Sequence, residues 1–249
     1  MIDIAVVVFG LVIGSFLNVC IYRIPRGESI VYPPSACPVC KNRIKWYDNI
    51  PVLSFVLLKG RCRYCKSPIS VVYPAVEMLT AIFTYLVYRK FGICLDLAVY
   101  LIFGYALIVA SFIDLKHFII PDRISIGLIV VGLIFALLQH RVVDSLIGGA
   151  AGFLILYAVA VFGKLIFKKE AMGGGDIKLL SGIGTFIGLK GVLFSLFVGS
   201  FVGAAAGIGY MLISKKDSDS QIPFGPALSF AAVLYIFVGS YFVRYFWGF

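Results

Sequence analysis

Long stretches without a single Lys, Arg, Asp or Glu constrain this chain more than anything else in it. They cover residues 4–22, 97–113, 124–139, 145–163, 191–214 and 221–243. Residues 71–88 form a further stretch, interrupted by Pro74 and Glu77. Most of them approach the roughly 20 residues that a helix needs to cross a bilayer. In lipid every backbone N–H and C=O must find its partner internally, so such runs form helices. The residues are 61% hydrophobic and only 14% charged, against about 25% charged in a soluble globular domain. The expected fold is therefore an all-α polytopic membrane protein.

The opening Met-Ile-Asp-Ile lacks a cationic segment, and Arg23 and Arg26 follow the first apolar stretch instead of preceding it. This predicts a retained helix with its N-terminus outside, not a cleaved signal peptide. The stretch 179–189 is short for a span; it crosses only if its helix starts nearer Asp176. Counting it gives about eight transmembrane helices with both termini outside. The inner side then holds the basic residues between Arg23 and Lys66, together with Lys116, Arg123, Lys164, Lys168, Lys169, Lys178, Lys215 and Lys216. Only Arg89, Lys90, Arg141, Lys190 and Arg244 fall outside, which is the asymmetry of the positive-inside rule. The net charge of +10 then reflects topology and contact with anionic membrane lipid. Nucleic-acid binding is a poor reading, because the cations are juxtamembrane.

Residues 1–22 are read as the first transmembrane helix, 23–70 as a cytoplasmic tetracysteine domain and 71–249 as a seven-helix membrane core. In the middle part, Cys37-Pro-Val-Cys40 and Cys62-Arg-Tyr-Cys65 form two C-x-x-C knuckles. This spacing suits a zinc-ribbon-like insertion with four thiolates around Zn²⁺. So small a piece buries little core alone, and a metal staple offsets that. A redox pair or disulfide is the alternative, disfavoured in a reducing compartment. A catalytic metal needs an open ligand position, and residues 23–70 contain no His. Cys20 and Cys94 are expected to be small apolar packing residues.

Of the 12 acidic residues, most sit in loops or at helix ends. Glu77, Asp114, Asp122 and Asp176 need more explanation, because carboxylates at membrane depth are costly. Asp114 ends the third apolar stretch, and Asp176 opens the sixth after Gly173-Gly174-Gly175. Both fall at the cytoplasmic edge, where two carboxyl groups side by side would share one proton. That suits aspartic hydrolysis, in which one carboxylate takes a proton from water and the other, protonated, polarises the carbonyl. Helix polarity suggests Asp176 as base and Asp114 as acid. The plainer alternative is that each Asp caps a helix or pairs with Lys116 or Lys178. Asp122, after Pro121, reads as a helix-start residue, and Glu77 as a supporting residue. Gly173 and Gly175 would let an extended peptide come close to Asp176.

These residues carry a likeness. The chain resembles the bacterial type IV prepilin leader peptidases, membrane aspartic peptidases of the GxGD class. The match runs through Gly14-Ser15-Phe16-Leu17-Asn18-Val19, Tyr22-Arg23-Ile24-Pro25, both Cys knuckles, and Trp46-Tyr47-Asp48-Asn49-Ile50-Pro51-Val52-Leu53-Ser54. It continues through Gly60-Arg61-Cys62, Tyr73-Pro74 with Glu77, Ile113-Asp114 and Ile120-Pro121-Asp122. Met172-Gly173-Gly174-Gly175-Asp176-Ile177-Lys178-Leu179 and Ile222-Pro223-Phe224-Gly225-Pro226 complete it. The resemblance implies an inner-membrane endopeptidase with Asp114 and Asp176 as catalytic pair. Its substrates would be prepilins and pilin-like precursors, cut at the cytoplasmic face to remove a basic leader. It also implies N-methylation of the new N-terminus from S-adenosylmethionine, with Gly60 matching the glycine associated with that step.

Two other readings compete. One is a GxGD protease that cuts within the bilayer, which the cysteine domain and Ile-Pro-Asp disfavour. The other is a transporter or assembly scaffold in which Asp114, Asp176 and Glu77 relay protons or bind cations.

Overall fold

The computed structural model describes residues 1–168, 172–214 and 223–247. Lys169, Glu170, Lys215, Lys216, Asp217, Asp219 and Ile222 lie outside the described residues. Those described are helical where they are regular, with no strand among them. In chain order the helices are α1 (Ile2–Arg23), α2 (Leu53–Leu57), α3 (Val72–Phe91), α4 (Leu95–His117), α5 (Asp122–Leu138), α6 (Val142–Phe167), α7 (Gly174–Ser214) and α8 (Gly225–Trp247). Four of them, α1, α4, α6 and α7, are long and apolar enough to cross a membrane.

The chain divides into two compact units, Met1–Val109 and Ala110–Phe249. In the first, α1 and α3 cross at small residues. A Cβ on Gly10 would lie 2.7 Å from the Ala81 Cα, and one on Gly14 would lie 2.6 Å from the Glu77 Cα. Glycines four apart let two backbones touch where lipid supplies no hydrophobic force to join them. Polar groups complete the contact: Asn18 Nδ2 donates to the Tyr73 carbonyl at 3.0 Å. The nearly buried Arg23 guanidinium donates to the carbonyls of Ser29 and Pro33, at 2.8 and 2.6 Å. It thereby ties the start of the cysteine-bearing insertion to the end of α1.

In the second unit α7 carries a break that the hydropathy pattern foreshadows. Gly188 has φ 68 and ψ −175 inside otherwise helical residues, a left-handed φ that favours glycine. A Cβ there would also fall 2.6 Å from both Asp144 carboxylate oxygens. The first segment starts at Gly174, well before residue 179, which is the condition the short apolar stretch needed. Its partner is α6. A Cβ on Gly148 would sit 2.3 Å from the Gly184 carbonyl oxygen, and one on Gly184 would sit 2.2 Å from that of Gly148. Ser145 Oγ donates to the Thr185 carbonyl at 2.7 Å and Ser181 Oγ to the Gly149 carbonyl at 3.0 Å. Interhelical bonds of this kind contribute about 0.6 kcal/mol each in membranes. Beyond the break, Phe194 stacks edge-on against Phe242 of α8, centroids 4.8 Å apart.

Candidate active site and metal centre

Asp114 lies in the last turn of α4. The helix ends just beyond it, where Phe118 turns to φ 55 and its N–H donates to the Asp114 carbonyl at 2.9 Å. The side chain is 5% exposed, and its Oδ2 accepts the N–H of Gly225 at 3.0 Å. Gly225 is the first residue of α8, and Pro226 behind it is suited to an opening turn. Asp176 sits in the first turn of α7. Its Oδ1 is enclosed and has no hydrogen-bond partner among the described residues, which leaves it room to act as an acid or to meet a ligand. The two carboxyl groups are close enough to repel each other.

Ile120 holds this arrangement together. It is 7% exposed, and a Cβ on either Gly175 or Gly225 would come within 3.0 Å of its side chain. Gly175 is therefore needed for close approach of the turn before α5. None of Gly173, Gly174 and Gly175 has a positive φ. Gly174 faces open space, and Gly173 would carry a Cβ 3.4 Å from Asp176 Oδ2. Asp122 is the first residue of α5, after Pro121, and accepts from Lys178 Nζ at 2.7 Å. That pair links the start of α5 to the first turns of α7.

Gly225 escaped the sequence reading as a site residue. It appears there only within the Pro-Phe-Gly-Pro match, because a backbone donor leaves no mark in residue chemistry. Glu77 belongs to the first unit, and its Oε2 accepts the N–H of Val52 at 2.7 Å.

The tetracysteine domain is built from two similar turns. Isolated bridges pair Ala36 with Arg43 and Arg61 with Pro68, and Lys41 and Lys66 take φ 60 and 59 at equivalent places. The four Sγ atoms of Cys37, Cys40, Cys62 and Cys65 lie within 4.8 Å of one another. Cys37 and Cys65 are 3.8 Å apart, and Cys40 and Cys62 are 4.0 Å apart. With Zn–S near 2.3 Å, a tetrahedral site has edges of about 3.8 Å, so the donor set fits Zn²⁺. Disulfides need about 2.05 Å, and all four thiols are free. The Cys40 N–H, helped by the Val39 N–H and the Ser67 hydroxyl, holds the Cys37 thiol down to about 6. The Asn42 N–H acts to lower Cys40, but burial and the thiols of Cys37, Cys65 and Cys62 push it up to about 11. Thiols this close share protons, and a metal ion would displace them.

Arg63 grips Asp48 through both carboxylate oxygens, the shortest contact being 2.6 Å. That holds the Asp48 carboxyl below its usual range and clips the 46–48 turn to the second knuckle. Beside it lies a shallow cleft of about 580 Å³ lined by Asn42, Arg43, Lys45, Trp46, Tyr47 and Tyr64. Gly60, at φ +66, joins α2 to the second knuckle, and a Cβ there would press on Phe55 at 3.2 Å. Cys20 is buried as expected, whereas Cys94 is exposed.

Comparisons with known proteins follow the same two segments. Residues 8–91 match the bacterial peptidase A24 N-terminal domain, and residues 101–208 match the type IV leader peptidase family. A protein of Aeromonas hydrophila named prepilin leader peptidase/N-methyltransferase is 36% identical, across 97% of this chain and 92% of its own length. One of the same name from Legionella pneumophila is 34% identical, across 97% and 93%. Another, from Myxococcus xanthus, is 40% identical, across 84% of this chain and 63% of its own length. No solved structure matches.

Proposed function

Because the chain belongs to the type IV leader peptidase family, we propose that it cleaves the basic leader from type IV prepilins and pilin-like precursors and then N-methylates the new N-terminus. The observation that carries the cleavage reading is the pairing of Asp114 with Asp176 at helix ends. Asp114, which accepts the Gly225 N–H, is the carboxylate that takes a proton from water. Asp176, whose Oδ1 has no donor, carries the proton and donates it to the scissile carbonyl. This reverses the order that helix polarity alone suggests, because a direct donor at 3.0 Å acts more strongly than the partial charge of a helix end. The attacked carbonyl carbon becomes tetrahedral, and collapse expels the amine with its proton returned through the dyad. Gly173 and Gly174 leave room for an extended peptide beside Asp176.

The same reading divides the chain into a first transmembrane helix at 1–22, a cytoplasmic tetracysteine domain at 23–70 and a seven-helix core at 71–249. It gives eight crossings of the bacterial inner membrane with both termini outside. The break at Gly188 supports counting α7 twice. Zn²⁺ held by Cys37, Cys40, Cys62 and Cys65 is structural, because four thiolates leave no open position. S-adenosylmethionine is the methyl donor. The cleft at Trp46, Tyr47 and Tyr64 suits its adenine and sulfonium, and Arg43 and Lys45 suit its carboxylate. Membrane lipid is the other partner, and no nucleic acid is expected.

The test is incubation of the purified protein with a prepilin, with and without S-adenosylmethionine, and mass spectrometry of the products. A leader-sized loss that Asp114→Asn and Asp176→Asn each abolish supports the dyad. Cleavage that survives in either variant overturns it. Methylation that persists unchanged in Trp46→Ala would remove the cleft from the reading.

A further inference from the structure

The five-residue helix α2 presents its faces the wrong way round for water. Leu53, Val56 and Leu57, spaced as one helical face, are 51%, 63% and 71% exposed, while Ser54 is buried at 7%. A surface helix of a soluble domain does the opposite.

The position of α2 explains the inversion. Val52, immediately before it, donates its N–H to Glu77 Oε2 at 2.7 Å. Glu77 in turn lies where Gly14 meets α3. With about 1.5 Å of rise per residue, Glu77 is about 8 Å inside the start of α3 and Gly14 about 13 Å inside the end of α1. A Glu side chain on a helix leans toward the helix N-terminus, which brings Val52 and α2 back toward, but not beyond, the basic end of α1. With α1 spanning a bilayer, that depth falls at the boundary between headgroups and acyl chains. On α3, the helix to which Glu77 ties Val52, Met78, Leu79 and Ile82 are 46%, 44% and 52% exposed, so apolar side chains are open on both elements.

The backbone of this segment is also built for a place without water. Ile50 N–H donates to Ser54 Oγ at 2.9 Å, and that hydroxyl donates to the Tyr47 carbonyl at 3.0 Å. Leu53, Ser54, Val56 and Leu58 donate to the carbonyls of Pro51, Ile50, Val52 and Ser54. Pro51 has no N–H to satisfy. Val52 takes φ 59 and ψ −48, a γ-turn conformation that β-branched residues rarely adopt; Glu77 receives the N–H this turn directs outward. Internal satisfaction of these donors is what non-aqueous surroundings favour.

We propose that α2 is an interfacial helix, pinned by Glu77 so that Leu53, Val56 and Leu57 lie in the lipid boundary and dock the tetracysteine domain onto the bilayer surface. The partner is phospholipid; Lys59 and Arg61, exposed just after α2, suit its anionic headgroups. The inference rests on α1 spanning the membrane and is independent of the peptidase chemistry.

The test uses the full chain in phosphatidylethanolamine–phosphatidylglycerol vesicles, with photoreactive benzoylphenylalanine at Leu57 or, for comparison, at Ile82 of α3. Mass spectrometry should find phospholipid adducts at both positions. Glu77→Ala should lower the Leu57 adduct severalfold and leave Ile82 unchanged, while Glu77→Gln, which keeps an acceptor for Val52, should retain both. Adducts at Ile82 with none at Leu57 would place α2 in water and overturn the proposal. Adducts at Leu57 to a second copy of the chain, or only to added prepilin, would overturn it in favour of those occupants. Should Glu77→Ala not fold, the wild-type and Glu77→Gln adducts decide alone.

Discussion

Gly225 donates its backbone N–H to Asp114 Oδ2 at 3.0 Å, so the start of α8 touches a candidate catalytic carboxylate directly. A Cβ at this glycine would fall 2.8 Å from the same oxygen and 3.0 Å from Ile120 Cδ1. Gly225→Ala should therefore lower kcat for prepilin cleavage by on the order of 100-fold, as small misplacements of catalytic groups do. Overpacking at this buried site should also cost about 1–3 kcal/mol of stability, so kcat is read per folded molecule. A variant with unchanged kcat would show that the contact is incidental.

Asp114→Asn and Asp176→Asn should each reduce kcat by about 1,000-fold or more, and the double variant should be no worse, because the two carboxyls act as one unit. Single-turnover cleavage assays on all three proteins check this. Multiplicative losses would mean that the two residues work independently.

The Asp122–Lys178 pair, at 2.7 Å with both side chains substantially exposed, should contribute no more than about 1 kcal/mol to stability. Its larger effect should be on cleavage, through the orientation of the turn carrying Asp176. Asp122→Asn or Lys178→Met should cost severalfold in kcat, and the exchanged pair Asp122→Lys with Lys178→Asp should recover part of it. No recovery would assign the loss to other contacts of these residues.

Zinc analysis of the purified protein should give about one ion per chain, and none in Cys37→Ser with Cys62→Ser. Chelation should open the knuckles to trypsin at Lys41, Arg43, Arg61 and Lys66, all exposed, while the membrane helices stay intact. A trypsin pattern indifferent to chelator would make the domain self-supporting.

Gly60→Ala should place a Cβ 3.2 Å from Phe55 at φ +66, straining the backbone by about 1–2 kcal/mol. The expected product is a cleaved but unmethylated pilin, read by a missing methyl mass. Normal methylation would separate Gly60 from that activity.

Residue chemistry made some of this legible in the sequence and geometry hid the rest. The thiols of Cys37, Cys40, Cys62 and Cys65 and the carboxyls of Asp114 and Asp176 stand out because each is anomalous in its surroundings, and the apolar runs found every long helix. The Gly14–Glu77 crossing was less visible. Gly10 and Gly14 carry a small-residue spacing, but nothing in a linear chain says which helix will meet it. The Gly188 break was foreshadowed only by a stretch too short to span. Asp122 reads as a helix-start residue because it follows Pro121, and it does open α5, but the sequence leaves open which lysine it pairs with; the structure gives Lys178. Contacts made by backbone groups, Val52 to Glu77 and Gly225 to Asp114, have no side-chain signature at the donor and so no sequence signal.

The glycine seam between α6 and α7 makes the helix of Asp176 a cantilever. Its clamped end is at Gly148 and Gly184, where carbonyl oxygens leave no room even for a methyl group. Its tip, at Gly174, faces open space, and just behind it Gly175 packs on Ile120 while Lys178 pairs with Asp122. A beam fixed in this way bends at the tip under a small load and not at the root. An arriving peptide would then load the open turn at Gly174 and not the packed seam behind it.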